Sequence, residues 1–241
     1  MVDRNHTKNN SPIKRYDVYP VHLIFSEHPY DIFSTMGARI AVPKNQIIHL
    51  AGDTPTHCYY IQSGRIMAYE YTSSGEEHIY NVNDAGTLLF ESAIILDRSV
   101  SLSFKTIAPS VLIKISKETL LQEITANPKV AFCLLQSLSE KFTQVNEQIR
   151  EASGHDAGWR VANLLITFAH RYGVDYDGKI LIKDKISQQL IANLLRINRI
   201  TVIRTMKELK DLGFVESING FYCIRDLDGL LKHMKYMEST T

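Results

Sequence analysis

Two hydrophobic periods divide the chain. From about Arg39 to Ile115 apolar and polar residues alternate over short runs, punctuated by Gly52, Gly64, Gly75 and Gly86. The runs Ile47-Ile48-His49-Leu50, Tyr59-Tyr60-Ile61, Ile66-Met67-Ala68-Tyr69-Glu70-Tyr71 and His78-Ile79-Tyr80-Asn81-Val82 are rich in β-branched and aromatic side chains. Such residues suit a pleated, half-buried surface. Turns at this spacing predict an antiparallel all-β sandwich or barrel of about eight strands. Gln62-Ser63-Gly64 and Ser73-Ser74-Gly75 read as hairpin loops with glycine at the positive-φ position, and Asn45 can supply the same left-handed geometry. Ser101 to Ile115 closes the block with further alternation.

A longer period then takes over. Asn127-Pro128 opens a helix in which Ala131, Leu135, Leu138, Phe142, Val145, Ile149 and Ala152 recur at steps of four and three, the seam of a three-heptad coiled coil. Its flanks, among them Gln136, Glu140, Lys141, Gln144 and Glu147, are polar, so the apolar face is too narrow for a helix packed only on its own domain. A second copy of the chain is the expected partner of that seam. Ser153-Gly154-His155-Asp156 is the expected hinge, with Gly154 in the left-handed C-terminal conformation and Asp156 capping the next helix.

Ala157 to Tyr172 reads as a helix facing inward through Val161, Leu164, Leu165 and Phe168, and Tyr176-Asp177-Gly178-Lys179 as a turn into a strand at Ile180-Leu181-Ile182. Ser187 then caps a helix through Leu190, Ile191 and Leu194, and a turn falls near Leu195-Arg196-Ile197. Asn198 starts a second helix through Val202, Met206 and Leu209. Short helix, tight turn, longer helix is the helix-turn-helix pattern, whose second helix fits the DNA major groove. With Val202, Met206 and Leu209 turned inward, Asn198, Arg199, Ile200, Thr201 and Arg204 face outward. Arginine suits bidentate contact with guanine O6 and N7, whereas Asn198 and Thr201 suit phosphates. The run Phe214 to Ile224 folds back around Asn219-Gly220, a hairpin that would form a wing.

Composition narrows the function further. The chain has 241 residues, 44% hydrophobic and 22% charged, which suits one large domain or two. No apolar run approaches the roughly 18–20 residues of a membrane helix, and the polar Met1–Arg15 segment is unlike a secretory signal, so a cytoplasmic location is expected. Cys58, Cys133 and Cys223 are far apart and lack CxxC or CxxH spacing, which argues against disulfide, zinc and iron–sulfur sites. The near-neutral total hides an asymmetry: residues 155–241 carry 13 Lys and Arg against 10 Asp and Glu, and the excess concentrates between Lys183 and Lys210. A local excess of cations is the footprint of a surface that meets phosphates.

The stretch Ile186–Val215 resembles, without a gap, the helix-turn-helix of the catabolite activator protein/FNR family of bacterial transcription regulators. The likeness extends through Pro43-Lys44-Asn45-Gln46-Ile47-Ile48, Gly52-Asp53 and Tyr60-Ile61-Gln62-Ser63-Gly64-Arg65-Ile66. It implies an α+β chain: a β jelly-roll, cyclic-nucleotide-binding-like effector-sensing domain over 1–125, a dimerisation helix over 126–153 and a winged helix-turn-helix DNA-binding domain over 154–241. It implies a homodimer that binds double-stranded DNA, answers to a small molecule and meets RNA polymerase. Arg199 and Arg204 match the family's base-contacting arginines, and Thr201 a phosphate-contacting position.

Departures from the family refine those expectations. Ile200 stands where well-known members carry a glutamate that reads cytosine, and it could make only apolar contact, for instance with a thymine methyl. Arg196 replaces the turn glycine, which implies a loosened turn. Arg98-Ser99 matches the end of the cyclic-nucleotide phosphate cassette, but Phe90-Glu91-Ser92-Ala93 replaces its body, and Glu91 would repel a cyclic phosphate. The N-terminal segment has no cysteine for an iron–sulfur cluster, no Cys or His sits in a telling haem motif, and no cofactor is expected. The effector pocket by resemblance involves Glu91, Ser92, Arg98, Val145 and Asn146, and the tyrosines Tyr59, Tyr60, Tyr69, Tyr71 and Tyr80 suggest an apolar or aromatic effector. The alternatives are a cyclic-nucleotide- or haem-responsive member and, in another class, a metal-dependent cupin-like enzyme. His49, His57 and His78 fall in the barrel, but the clustered HxH motif of such enzymes is missing.

Overall fold

The computed structural model describes residues 22–26, 30–73 and 75–238; the Met1–Arg15 segment and Ser74 of one expected hairpin lie outside the described residues. The chain forms two compact units, Val21–Asn146 and one that includes Glu147–Thr241.

The alternating block folds as its period dictates. It contains β2 (Ala38–Val42), β3 (Ile47–His49), β4 (His57–Ser63), β5 (Arg65–Tyr71), β6 (Glu77–Asp84), β7 (Leu88–Leu89), β8 (Ser103–Thr106) and β9 (Ser110–Ser116), and β1 (Leu23–Ile24) precedes it. One sheet has the order β1-β6-β5-β8-β3 and the other β2-β9-β4-β7. The pairing of β1 with β6 is parallel, an exception to the antiparallel expectation. A two-residue strand is too short to carry a period of two. Ile61, Ile66, Leu89, Phe90 and Leu112 form one core of this roll.

Gly52, Gly64, Gly75 and Gly86 all take positive φ, and Asn45 does too at 66°. They differ in why. Gly52, at φ +93°, has open space around a notional Cβ, whereas a Cβ on Gly64 would lie 2.2–2.6 Å from Ser110 and the Pro109 carbonyl oxygen. Gly64 thus serves both the turn and the close approach of the β8–β9 connection.

Among the described residues a 3-10 turn (Asp31–Thr35) and three α-helices complete the unit: α1 (Glu91–Leu96), α2 (Lys117–Ala126) and the start of α3 (Pro128–Gly154). The hydrophobic periods do not predict α1 or α2. The Ser116 hydroxyl caps α2 by accepting the Thr119 amide at 3.1 Å, and Leu120 is buried beneath. The α3 seam is an apolar exterior stripe: Leu135, Phe142 and Ile149 are 60–69% exposed. Part of its polar flank is the face that packs on the roll. Val130 and Leu134 join a second core with Phe33, Tyr60, Ile113 and Leu120. Further along, Lys141 pairs with the buried Glu91 and donates to the Leu88 carbonyl at 2.8 Å, and Ser137 Oγ donates to Glu91 at 2.9 Å. Gln144 donates to the Leu23 carbonyl at 3.0 Å, and Glu140 accepts from the Tyr30 hydroxyl at 2.8 Å. Polar side chains pack here because the roll offers them matching polar groups.

The other unit is built around α4 (Ala157–Tyr172), whose Val161, Leu164, Leu165 and Phe168 are buried as expected. Asp156 caps it, accepting the Trp159 amide at 2.8 Å. Gly154 departs from expectation: it is helical and absent from the positive-φ residues. The helix ends instead where Asp156 takes an extended conformation as the next cap. β10 (Gly173–Tyr176), β11 (Lys179–Ile182), β12 (Val215–Ile218) and β13 (Phe221–Ile224) form a sheet of order β10-β11-β13-β12, and α5 (Gln188–Leu195), α6 (Arg199–Asp211) and α7 (Leu227–Glu238) pack in the same unit.

The Gly64→Ala substitution is expected to destabilise the roll by at least about 2 kcal/mol, adding a clash to the left-handed penalty, whereas Gly52→Ala should cost about 1 kcal/mol. Urea unfolding midpoints of the two variants check the difference.

Candidate nucleic-acid interface

The helix-turn-helix is built from two capped helices. The Ser187 hydroxyl accepts the Leu190 amide at 3.0 Å to start α5, and Asn198 Oδ1 accepts the Ile200 amide at 2.8 Å to start α6. The Asn198 oxygen is therefore engaged in the fold, and its exposed amide NH2 remains the group able to meet a phosphate. Between the helices Arg196 takes the left-handed conformation, φ 53° and ψ 47°, and its N–H donates to the Ala192 carbonyl. The expected loosening does not occur. Arg196 holds the geometry a glycine would adopt freely, a cost of roughly 1–2 kcal/mol to a non-glycine residue.

The sequence pattern missed what supports this turn. Arg160 on α4 donates from Nη2 to the carbonyl of Leu195, the last residue of α5, at 2.5 Å. Its Nε lies 3.8 Å from Glu151 Oε1, too long for a hydrogen bond, and both atoms are buried without one. Asn163 donates to the other Glu151 oxygen at 3.4 Å. Burial raises the Glu151 carboxyl to about 7, with Arg160 and then Asn163 acting in the opposite direction. The sequence pattern assigns Glu151 no role, since the arginine facing it arrives only with the tertiary fold.

On α6, Val202, Thr205, Met206 and Leu209 are buried. Arg199, Ile200 and Arg204 are exposed, Thr201 is half-buried, and Ile203 and Lys207 share the outer face. Ile200, at 73% exposure, is the most exposed large hydrophobic residue of the chain among those described. β12 and β13 pair in register around Asn219 and Gly220, whose φ angles of 51° and 81° match the expected tight turn. An exposed cationic helix beside a hairpin wing is a surface that fits the major groove of DNA.

The sensor positions are less unified. Glu91 is 1% exposed and bound to α3, whereas Ser92, Arg98, Val145 and Asn146 are all exposed. The positive charge of Lys141 offsets the repulsion toward phosphate expected of Glu91. Phe90 directly precedes Glu91. It is buried at φ 68°, a left-handed aromatic residue, with ring centroids 4.8 Å from Phe104, 4.9 Å from His49 and 6.0 Å from Tyr59. His49 Nε2 is buried without a hydrogen-bond partner, and burial pushes its pKa down. Of the five tyrosines, Tyr60 and Tyr69 are buried and Tyr71 is exposed. Among the described residues no group of three or more His, Cys, Asp or Glu could hold a metal ion.

Residues 39–127 match the Cyclic nucleotide-binding domain family and residues 160–233 the Crp-like helix-turn-helix domain family, together about two-thirds of the chain. The chain belongs to the CRP/FNR family of transcription regulators. It joins an effector-binding domain to a DNA-binding helix-turn-helix, as that family does. A relative from Mycobacterium tuberculosis, a CRP-like cAMP-activated global transcriptional regulator, is 21% identical over 193 residues, covering 80% of this chain and 86% of its own. Among solved structures, a CooA mutant from Carboxydothermus hydrogenoformans shares the fold at a TM-score of 0.74 and 15% identity, covering 88% of this chain and 97% of its own. OCPA-complexed CprK shares it at 0.69 and 14%, covering 88% and 99%. No described helix of this CRP/FNR regulator is long and apolar enough to cross a membrane.

Because folding raises the Glu151 carboxyl from its ordinary 4.5 to about 7, the native state holds the extra proton between those values, and its contribution to stability is lost as pH rises through the window. Replacing Glu151 by Gln should remove this dependence. The variant should gain on the parent by up to about 3 kcal/mol between pH 4.5 and 7.5. Fluorescence of Trp159, the single tryptophan, follows unfolding of this unit; a variant-minus-parent difference that does not change with pH would contradict the assignment.

Proposed function

We propose that this chain is a homodimeric, effector-responsive regulator that binds a palindromic operator through α6. The observation that carries the reading is the two-sidedness of that helix: a fully buried apolar stripe on one side, and Arg199, Ile200 and Arg204 exposed on the other. Arg199 and Arg204 read guanines, and Asn198 and Thr201 hold phosphates at the helix start. Residues Ala131, Leu135, Leu138, Phe142, Val145 and Ile149 form the dimer seam. Several are exposed large hydrophobics, and a stripe of that kind calls for a partner. The seam places two recognition helices one turn of DNA apart, near 34 Å. The regulator works in the cytoplasm beside RNA polymerase and is not an enzyme. The 1–125, 126–153 and 154–241 segments act as sensor, dimer helix and DNA-binding domain.

The effector is a small apolar or aromatic molecule. The Phe90, His49, Phe104 and Tyr59 cluster supports this, since such rings favour stacking and offer no cation to a phosphate. Glu91, Ser92, Arg98, Val145 and Asn146 are the positions where its binding is transmitted. CprK was solved with OCPA and the mycobacterial relative is cAMP-activated, so the second reading is a cyclic nucleotide.

Arg199→Ala or Arg204→Ala should each cost roughly 1–3 kcal/mol in operator affinity and relax preference at one base pair, whereas Lys183→Ala should weaken all sequences alike. Gel-shift titrations against operator variants check this. The Phe142→Glu substitution should yield a monomer by sedimentation and abolish operator binding with it. Thermal-shift screening should find stabilisation by aromatic acids or phenols; stabilisation by cyclic AMP alone would establish the second reading.

A further inference from the structure

The outward face of α6 holds a feature that neither the cations nor the fold accounts for. Its buried stripe is Val202, Thr205, Met206 and Leu209. At about 100° per residue, the positions most directly opposite that stripe are Ile200 and, at the far end of the helix, Asp211, with Arg204 and Lys207 beside Ile200. Ile200 is 73% exposed, and Ile203, one turn along, is 43% exposed. Residues three apart on a helix are surface neighbours, so the two isoleucines form a continuous apolar bar. Arg199 lies at one end of the bar and Arg204 against its side. Neither isoleucine belongs to the buried core of its unit. A β-branched, water-exposed residue also lowers helix propensity relative to a straight-chain polar one. The fold gains little from the Ile200 side chain, and Ile203 leaves 43% of its surface uncovered.

In the major groove, the apolar group a base pair presents is the C5-methyl of thymine. Three residues of helix rise by about 4.5 Å, comparable with the roughly 3.4 Å between successive bases on one strand. Two isoleucines at this spacing are matched to two neighbouring methyls. The arginines beside them are matched to guanine O6 and N7. Isoleucine offers no hydrogen bond to a base edge. It would leave the N4 donor of a cytosine unpaired, so it also selects against C·G at these positions.

We infer that this regulator identifies its operator partly through thymine methyl groups at two neighbouring positions of each half-site, contacted by Ile200 and Ile203, beside guanines contacted by Arg199 and Arg204. The inference rests on the proposed placement of α6 in the major groove. It extends that reading to a residue, Ile203, and to a chemical feature of the DNA.

The test begins with the full-length protein and random duplex DNA. Fragments retained by the protein are sequenced to give the operator, and thymines of one half-site are then replaced one at a time by deoxyuridine, which deletes the methyl and keeps every hydrogen-bonding group. At two neighbouring positions the affinity should fall about fourfold each, the value of one buried methyl-sized group, and other thymines should tolerate the change. Ile200→Ala should lose the sensitivity at one position and Ile203→Ala at the other, each leaving the remaining position responsive. Both residues are surface positions and alanine favours helix, so the variants keep the fold. Uniform tolerance of deoxyuridine by the parent protein, or undiminished methyl sensitivity in both variants, would overturn the inference while leaving operator binding intact. Failure to retain any preferred sequence would instead overturn the DNA-binding reading, and this inference with it.

Discussion

A carboxylate buried beneath a helix must meet a cation or lose its charge. In this chain Glu91, 1% exposed at the start of α1, meets Lys141 and Ser137 of α3. That contact anchors α3 through polar groups and so frees its apolar stripe for another purpose. An ordinary amphipathic helix buries its apolar face on its own domain. Here Val130 and Leu134 do so near the start, and Ser137, Lys141 and Gln144 continue the same face with hydrogen bonds. Leu135, Phe142, Val145 and Ile149 remain on the outside. A helix with two packing faces of different chemistry can belong to a sensor and to an interface at once.

The same contact adjoins a strained residue. Glu91 follows Phe90 directly, and Phe90 sits in a strained left-handed conformation among His49, Tyr59 and Phe104. Strain of that kind persists only where packing over-determines it, and it gathers at functional positions.

A second buried carboxyl, Glu151, stands near the DNA-binding element. Arg160 holds the Leu195 carbonyl at the turn and faces Glu151 at the end of α3. The turn itself carries Arg196 where glycine would be comfortable. Its left-handed form is maintained by the hydrogen bond to Ala192 and by the firm end of α5. The helix-turn-helix therefore keeps its geometry without the residue type that usually permits it.

Much of this was legible in the sequence, because periods report faces. Alternation marked β4, β5 and β6, the 3-4 steps marked the exposed seam of α3, and the spacing of Val202, Met206 and Leu209 marked which side of α6 is buried. Caps were legible too, since Ser187, Asn198 and Asp156 act over three residues or fewer. Some elements were not: α1 and the two-residue β1 hold too few residues to show a period, and α2 buries Leu120 alone, too little to mark an apolar face. Gly154 was misleading, because glycine permits a left-handed turn without requiring one. The sequence by itself determined the order of elements, their apolar faces and the cationic helix, all properties of neighbours along the chain. Only the folded chain brings Lys141 and Gln144 to hydrogen-bond the roll, Glu151 to face Arg160, and Phe90 to meet His49 and Phe104. Most of those contacts join segments distant in sequence, Glu151 and Arg160 meet across the break between α3 and α4, and the worth of a polar or charged group depends on what the fold brings against it.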